Sequence, residues 1–232
     1  MLKLEKISAR IIGIPVLRQI DTEFMPGSLL AIVGRNGAGK TTLLRAIMGL
    51  VPLSEGRILC DGADLAGVPP YKRTALGIGY APEDRVMFPT FTVEENLRLP
   101  CEVLNLEKAE IARRLDKVLA VVPQLKDMLP RSGAALSGGQ GKIVALGRAL
   151  MAGSRLVLLD EPFQGLAPVL AGQYAESLRK LRDLDPDLCV VVTESNRSLL
   201  RDLPDATLTL ERGELVPAEA APHHHSNLES IT

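Results

Sequence analysis

The sequence predicts an α/β protein built around a parallel sheet, and three observations carry that expectation. Apolar runs such as LLAIV (29–33) and the LVLL of RLVLLDEP (155–162) lack polar alternation, which marks strands covered on both faces. Helix-length segments separate such runs, so β and α alternate along the chain. The runs stop at polar clusters, as in VVVTESN (190–196), where a buried strand delivers side chains to a site at its carboxyl end.

MLKLEKISAR has an amphipathic strand pattern, predicting a strand over 2–8, with a second over 16–24 and a fully buried one at 29–33. The glycine-rich turn after LLAIV opens a helix from about Lys40 to Leu50. A strand over 56–60 precedes the turn DGADL, and GIGYAP (77–82) is a strand ended by its proline. From Glu83 to Gly153 the reading is mostly helical: EKAEIARRLDKVLAVV is amphipathic, and GGQGKIVALGRALMAG is a helix rich in small residues. Alternation then resumes with a strand at 155–159, a helix at 169–183, a strand at 188–193 and a helix at 197–203. The hairpin ATLTLERGELV closes a domain spanning 1–216, with an inserted helical subdomain at about 84–153. Residues 217–232, with Pro, Ala and His223–His225, are expected to be a flexible, solvated tail.

The 232 residues, 46% of them hydrophobic, suffice for one large domain or a domain with a small appendage. The 27 basic and 28 acidic residues leave a net charge of -1, which argues against a nucleic-acid partner. Cys60, Cys101 and Cys189 are widely spaced and form no CxxC, so neither a disulfide framework nor a zinc site is expected, and a reducing compartment is favoured. The N-terminus does not read as a signal peptide, and no run of about 18 apolar residues exists to cross a bilayer.

Three motifs carry chemistry. GRNGAGKT (34–41) fits G-x-x-x-x-G-K-[ST] between a strand and a helix. Its glycines let backbone N–H groups turn toward phosphate oxygens, with Gly34, Arg35, Asn36, Gly37, Ala38, Gly39, Lys40, Thr41 and Thr42 as the nucleotide-binding set. Lys40 can reach the β- and γ-phosphates, and the Thr41 hydroxyl can ligate Mg²⁺. RLVLLDEP ends a strand in two carboxylates: Asp160 is assigned to the metal and Glu161 to polarising a water. LSGGQ (136–140) offers a second anion cradle at a helix N-terminus, formed by Ser137, Gly138, Gly139 and Gln140. One nucleotide rarely needs two cradles, so the second is expected to serve a nucleotide held by another subunit.

GRNGAGKTT, LSGGQ and LLDEP, in that order, resemble an ABC ATPase, the nucleotide-binding subunit of an ABC transporter, over about 1–216. YAPE (80–83), FPTFTVEENL (88–97) and GLAP (165–168) are similar to the second ATPase of branched-chain amino acid importers and their urea and amide relatives. The resemblance implies a RecA-like P-loop core with an antiparallel β-subdomain and a helical subdomain. It also implies two ATP molecules with Mg²⁺ between two ATPases, integral membrane permease subunits as partners, and a peripheral location on the cytoplasmic face of the inner membrane. The segment Glu83–Asn96 would contact ATP and receive the permease, with Phe88, Phe91 and Val93 supplying apolar area beside Glu94 and Glu95.

The chain departs from that family in four places. Glu83 stands where most members have Gln, which keeps an oxygen near Mg²⁺ in the metal and catalytic set. Ile12-Gly13 aligns with the pair whose aromatic stacks on adenine, and Phe24 reads as core. Gly141-Lys142 follow LSGGQ where Gln or Arg is commoner. Ser195 takes the position of the γ-phosphate-sensing histidine, since every histidine lies at 223–225. Ser195 then either hydrogen-bonds a phosphate or caps the following helix. These departures favour a heterodimer with a second ABC ATPase over a homodimer. They also keep open a hydrolysis-poor regulatory or assembly subunit. A non-transport role in DNA repair or translation would need a paired cassette or a coiled-coil arm, and neither is visible in the sequence.

Overall fold

The computed structural model describes residues 1–84, 87–200 and 202–216. β1 (Leu2–Ile11) and β2 (Ile14–Phe24) form an antiparallel hairpin. The buried side chains of β1 are Leu2 and Leu4, then Ile7 and Ala9, so the inward set changes parity once. Lys6, with φ of 46°, sits at the register shift between Leu4 and Ile7, where an added residue returns the next side chain to the core.

β3 (Leu29–Val33) leads through a turn into α1 (Lys40–Ile47). β4 (Leu53–Cys60) returns beside β1 and pairs with β5 (Ala63–Asp64), completing a four-stranded antiparallel sheet, β2-β1-β4-β5. A short α2 (Pro70–Arg73) precedes β6 (Ile78–Ala81). Then come α3 (Val93–Val103), α4 (Lys108–Val121), α5 (Gly138–Ala152), β7 (Leu156–Asp160), α6 (Pro168–Leu184) and β8 (Cys189–Glu194). β9 (Ala206–Glu211) and β10 (Glu214–Val216) close the chain.

The second sheet runs β10-β9-β3-β8-β7-β6 and is parallel except at β10. Alternate residues of its strands face two apolar layers. Leu29, Ala31, Val33, Leu159, Val190 and Val192 pack against α3–α6. Leu30, Ile32, Leu158 and Val191 pack against α1 and the inner face of the antiparallel sheet. Covered on both faces, β3, β7 and the start of β8 show no polar alternation, whereas β9, ATLTLE, does and is partly exposed. This is the α/β architecture the sequence predicts, with the antiparallel sheet as a separate layer. α5 lies very close to β6: a Cβ at Gly79 would sit 2.0 Å from the Ala149 carbonyl oxygen.

Several local expectations are corrected. α1 ends at Ile47 rather than Leu50, because Gly49 takes φ of 74° and stops the helix. The stretch from Glu83 is not helical at its start: α3 begins at Val93, where Thr92 and Glu95 form a reciprocal capping box. The helix expected at 197–203 is a 3₁₀ turn over Arg197–Leu199. Pro204 disfavours the helical region at Leu203, and Leu200 and Leu203 are both drawn into the core. β5 and α2 were not anticipated and are too short to leave a periodic signal. The expected tail at 217–232, with His223–His225, lies outside the described residues.

Candidate functional site

β3 ends at Val33, and the chain turns at Gly34, whose N–H donates to the Glu194 carbonyl at 3.2 Å. A Cβ at Gly34 would lie 2.3 Å from the Leu210 carbonyl oxygen, so β9 and the turn approach only because the residue is glycine. Arg35, Asn36 and Gly37 are exposed, while Ala38, Gly39 and Lys40 are buried. The Lys40 ammonium folds back over the turn and donates to the carbonyls of Gly34 at 2.7 Å and Arg35 at 3.2 Å. It also pairs with Glu161 Oε1 at 2.9 Å.

β7 delivers Asp160 and Glu161, only 2% and 5% exposed, so the acidic pair does not face solvent. Asp160 Oδ1 accepts from the hydroxyls of Thr193 at 2.7 Å and Thr41 at 3.2 Å, and Oδ2 accepts from Tyr80 at 3.4 Å. Burial, with the neighbouring Glu161 charge, raises the Asp160 pKa against the pull of those three hydroxyls. Glu161 takes the left-handed φ of 44° and donates its N–H to the Thr193 carbonyl at 3.1 Å. Its Oε2 accepts from the Ser195 hydroxyl at 3.0 Å. The Gln164 amide, oriented to donate, reaches Glu161 Oε2 at 3.1 Å and Glu83 Oε1 at 2.8 Å.

The end of β8 therefore has four separate tasks. Thr193 holds Asp160, and Ser195 holds Glu161. Glu194 is fully buried: its Oε1 accepts from the Phe163 N–H at 2.8 Å, and its Oε2 has no hydrogen-bond partner among the described residues. Burial raises the Glu194 pKa to about 7, helped by the Glu161 charge and opposed by the Phe163 hydrogen bond and the ammoniums of Lys142 and Lys40. Asn196 caps the turn that follows, accepting from the Ser198 N–H at 3.0 Å. The capping role considered for Ser195 thus belongs to Asn196.

Lys40, Thr41, Asp160, Glu161 and Ser195 converge at the carboxyl ends of β3, β7 and β8. Glu83 joins through Gln164; among the described residues, no hydrogen bond or ion pair ties it directly to Thr41 or Asp160. Ser137–Gln140 stand apart from this cluster. Ser137 caps α5, accepting from the Gln140 N–H at 3.3 Å while its own N–H donates to Gln140 Oε1 at 3.0 Å. Ser137 and Gly138 are exposed. Among the described residues, no cluster of three His, Cys, Asp or Glu side chains could hold a metal alone. The touching oxygens of Thr41 and Asp160 fit Mg²⁺, which takes one or two protein oxygens together with substrate phosphates.

Sequence reasoning gave no site role to Tyr80, Thr193, Gln164, Glu194 or Lys142. Thr193 and Glu194 lay in plain view at the end of the β-branched run, and Lys142 stood out as a departure. Tyr80 and Gln164 carried no pattern that separates them from core and loop residues. Phe24 is core, as expected, and Ile12 at the β1–β2 tip is 98% exposed. Phe88 and Phe91 stack 5.4 Å apart and are 43% and 38% exposed, but Val93 is fully buried and adds nothing to that surface.

The family model described as ABC transporter matches residues 17–164. A probable branched-chain amino acid transport ATP-binding protein, LivF, of Archaeoglobus fulgidus is 33% identical over 215 residues, 93% of this chain and 90% of that protein. The high-affinity branched-chain amino acid transport ATP-binding protein BraG of Pseudomonas aeruginosa is 34% identical over 216 residues, covering 93% and 91%. A solved ATP-binding subunit of an ABC transporter superposes with a TM-score of 0.80 at 27% identity, over 93% of this chain and 88% of that one.

Proposed function

This chain belongs to the ABC transporter family as an ATP-hydrolysing, ATP-binding subunit of an importer, and from that premise we propose how its site works and what it serves. The observation that carries the proposal is the convergence of Lys40, Thr41, Asp160 and Glu161 on the strand ends, with Ser137 and Gly138 exposed at the start of α5.

In this reading the amides of 34–42 wrap the phosphates of ATP, and the Lys40 ammonium faces the β- and γ-phosphates. Thr41 and Asp160 would hold Mg²⁺, which would supply neutralising charge at the phosphates, with Glu83 at the edge of that set. Glu161 accepts the proton of the attacking water. Ser195 and Gln164, both donating to Glu161 Oε2, fix the carboxylate. Lys40 holds Glu161 Oε1 and two turn carbonyls, so ATP would compete for an ammonium that already has three acceptors.

The chain works with integral membrane permease subunits from the cytoplasmic face, with Phe88 and Phe91 on the docking surface. The relatives named LivF and BraG support a branched-chain amino acid or similar small polar solute. A second reading, a slow site in a heterodimer with another ABC ATPase, is favoured by exposed aliphatic Ile12 and by the lack of any histidine in 1–216.

Lys40→Ala tests the site. Nucleotide affinity or turnover should be lost, because the charge facing the β- and γ-phosphates is gone. Unchanged ATP affinity and turnover in that variant would sink the assignment.

A further inference from the structure

Lys142 lies in the second turn of α5 and is 9% exposed, and its ammonium donates to the backbone carbonyl of Glu161 at 2.5 Å. A buried ammonium is costly unless it is paired or hydrogen-bonded, so its position needs a reason. Glu161 supplies one. A non-glycine residue at φ of 44° persists only where its surroundings hold it. Its N–H is held by Thr193, and its carbonyl accepts from the Gln164 N–H at 3.3 Å and from Lys142. Two residues on, the Phe163 N–H is held by Glu194, and the Phe163 ring packs edge-on against Tyr174 with centroids 5.2 Å apart. Among the described residues whose hydrogen bonds hold this turn, Lys142 comes from α5, the helix capped by Ser137.

We propose that Lys142 is a positioning residue for Glu161: its ammonium fixes the left-handed backbone that aims the carboxylate, and ties that aim to the position of α5. The proposal rests on the reading of Glu161 as the group that takes the water's proton. Lys142 lies five positions after the Ser137 cap, ~7.5 Å along the helix. When the amides at Gly138 and Gly139 engage a phosphate of a partner's nucleotide, the resulting displacement of α5 acts directly on the Glu161 carbonyl. One helix thus presents a cradle to the partner's site and sets the geometry of its own.

The test uses the full chain assembled with its ATPase partner and permease. Lys142→Met should lower the single-turnover rate of the site on this chain's P-loop by about 10- to 100-fold, as loss of an outer positioning contact does, while ATP affinity at that site stays within about 2-fold. Lys142→Arg, which keeps a cationic donor, should restore most of the rate. In a Glu161→Gln background, Lys142→Met should cause no further loss, because its effect passes through Glu161. A wild-type rate at that site in Lys142→Met overturns the proposal, as does a further loss in the Glu161→Gln background. If Lys142→Met fails to fold, Lys142→Ala, which removes the donor and leaves room for water, carries the same comparison. If Glu161→Gln itself leaves hydrolysis at that site intact, the reading of Glu161 falls and the proposal falls with it. If Glu161→Gln stops hydrolysis at that site and Lys142→Met does not slow it, only the proposal falls.

Discussion

Glu194 is a wholly buried carboxyl with one oxygen on the Phe163 amide, and it makes stability depend on pH. Its pKa rises from the ordinary 4.5 to about 7 in the folded chain, chiefly through burial. Between those values the folded chain binds more protons than the unfolded one, so the unfolding free energy falls as pH rises through the window. The contribution is fully present below about pH 4.5 and gone above about pH 7, with a magnitude of order 3 kcal/mol. Glu194→Gln keeps the acceptor for Phe163 and removes the titration. Urea unfolding of the variant at pH 5 and pH 8 should therefore show a smaller difference than wild type. An equal difference would place the pH dependence in another group. The residue itself was legible, as the acid in VVVTESN, but its burial was not. Whether a strand-end polar group faces the site or the layer behind it depends on the parity of β8 and on how close the turn after β7 comes.

At the scale of elements, the central strands were legible because both faces of the sheet are covered, so each reads as an unbroken apolar run. Ser137 and Gln140 were legible as a helix start because capping is local chemistry. The segment 197–203 misled because its apolar residues serve the core without a helix. The fit of α5 on β6 left almost no trace, since it depends on the missing side chain at Gly79. Gly79→Ala should test it. The added methyl meets the Ala149 carbonyl oxygen at 2.0 Å, and backbone cannot swing aside as a side chain can. The cost should be roughly 1–3 kcal/mol, the usual range for overpacking, and a lowered thermal midpoint would show it. An unchanged midpoint would mean that α5 shifts freely on the sheet. The rigid link from Ser137 to Glu161 would then lose its support.

On the scale of the whole molecule, the two segments read as phosphate cradles lie on different elements, and the proposed function gives them different nucleotides. The P-loop cluster lies at the strand ends, whereas Ser137 and Gly138 are exposed at the start of α5. In the proposed function, the chain would complete its own site with a partner's cradle and lend its own cradle in return. The two halves of the bargain look unequal here. The capping box at Ser137 is intact, yet exposed Ile12 offers no ring for adenine, which could weaken binding by roughly 1–3 kcal/mol. The Ser195 hydroxyl donates to Glu161 and the side chain is shorter than a histidine's, so in the proposed site it would contribute less at the γ-phosphate. We therefore expect a heterodimer in which the site on this chain's P-loop is the slower one. Glu161→Gln here should remove less than half of total turnover, and the matching change in the partner should remove most of it. Single-turnover hydrolysis in the reconstituted pair, with each change made separately, measures the two sites one at a time. If Glu161→Gln alone stops hydrolysis while the partner's change is mild, the slow site has been assigned to the wrong chain. If the chain hydrolyses ATP at full rate as a homodimer, Ser195 together with Gln164 is enough to aim Glu161. Histidine is then dispensable because a hydroxyl and an amide already fix the carboxylate that the imidazole would otherwise have to assist.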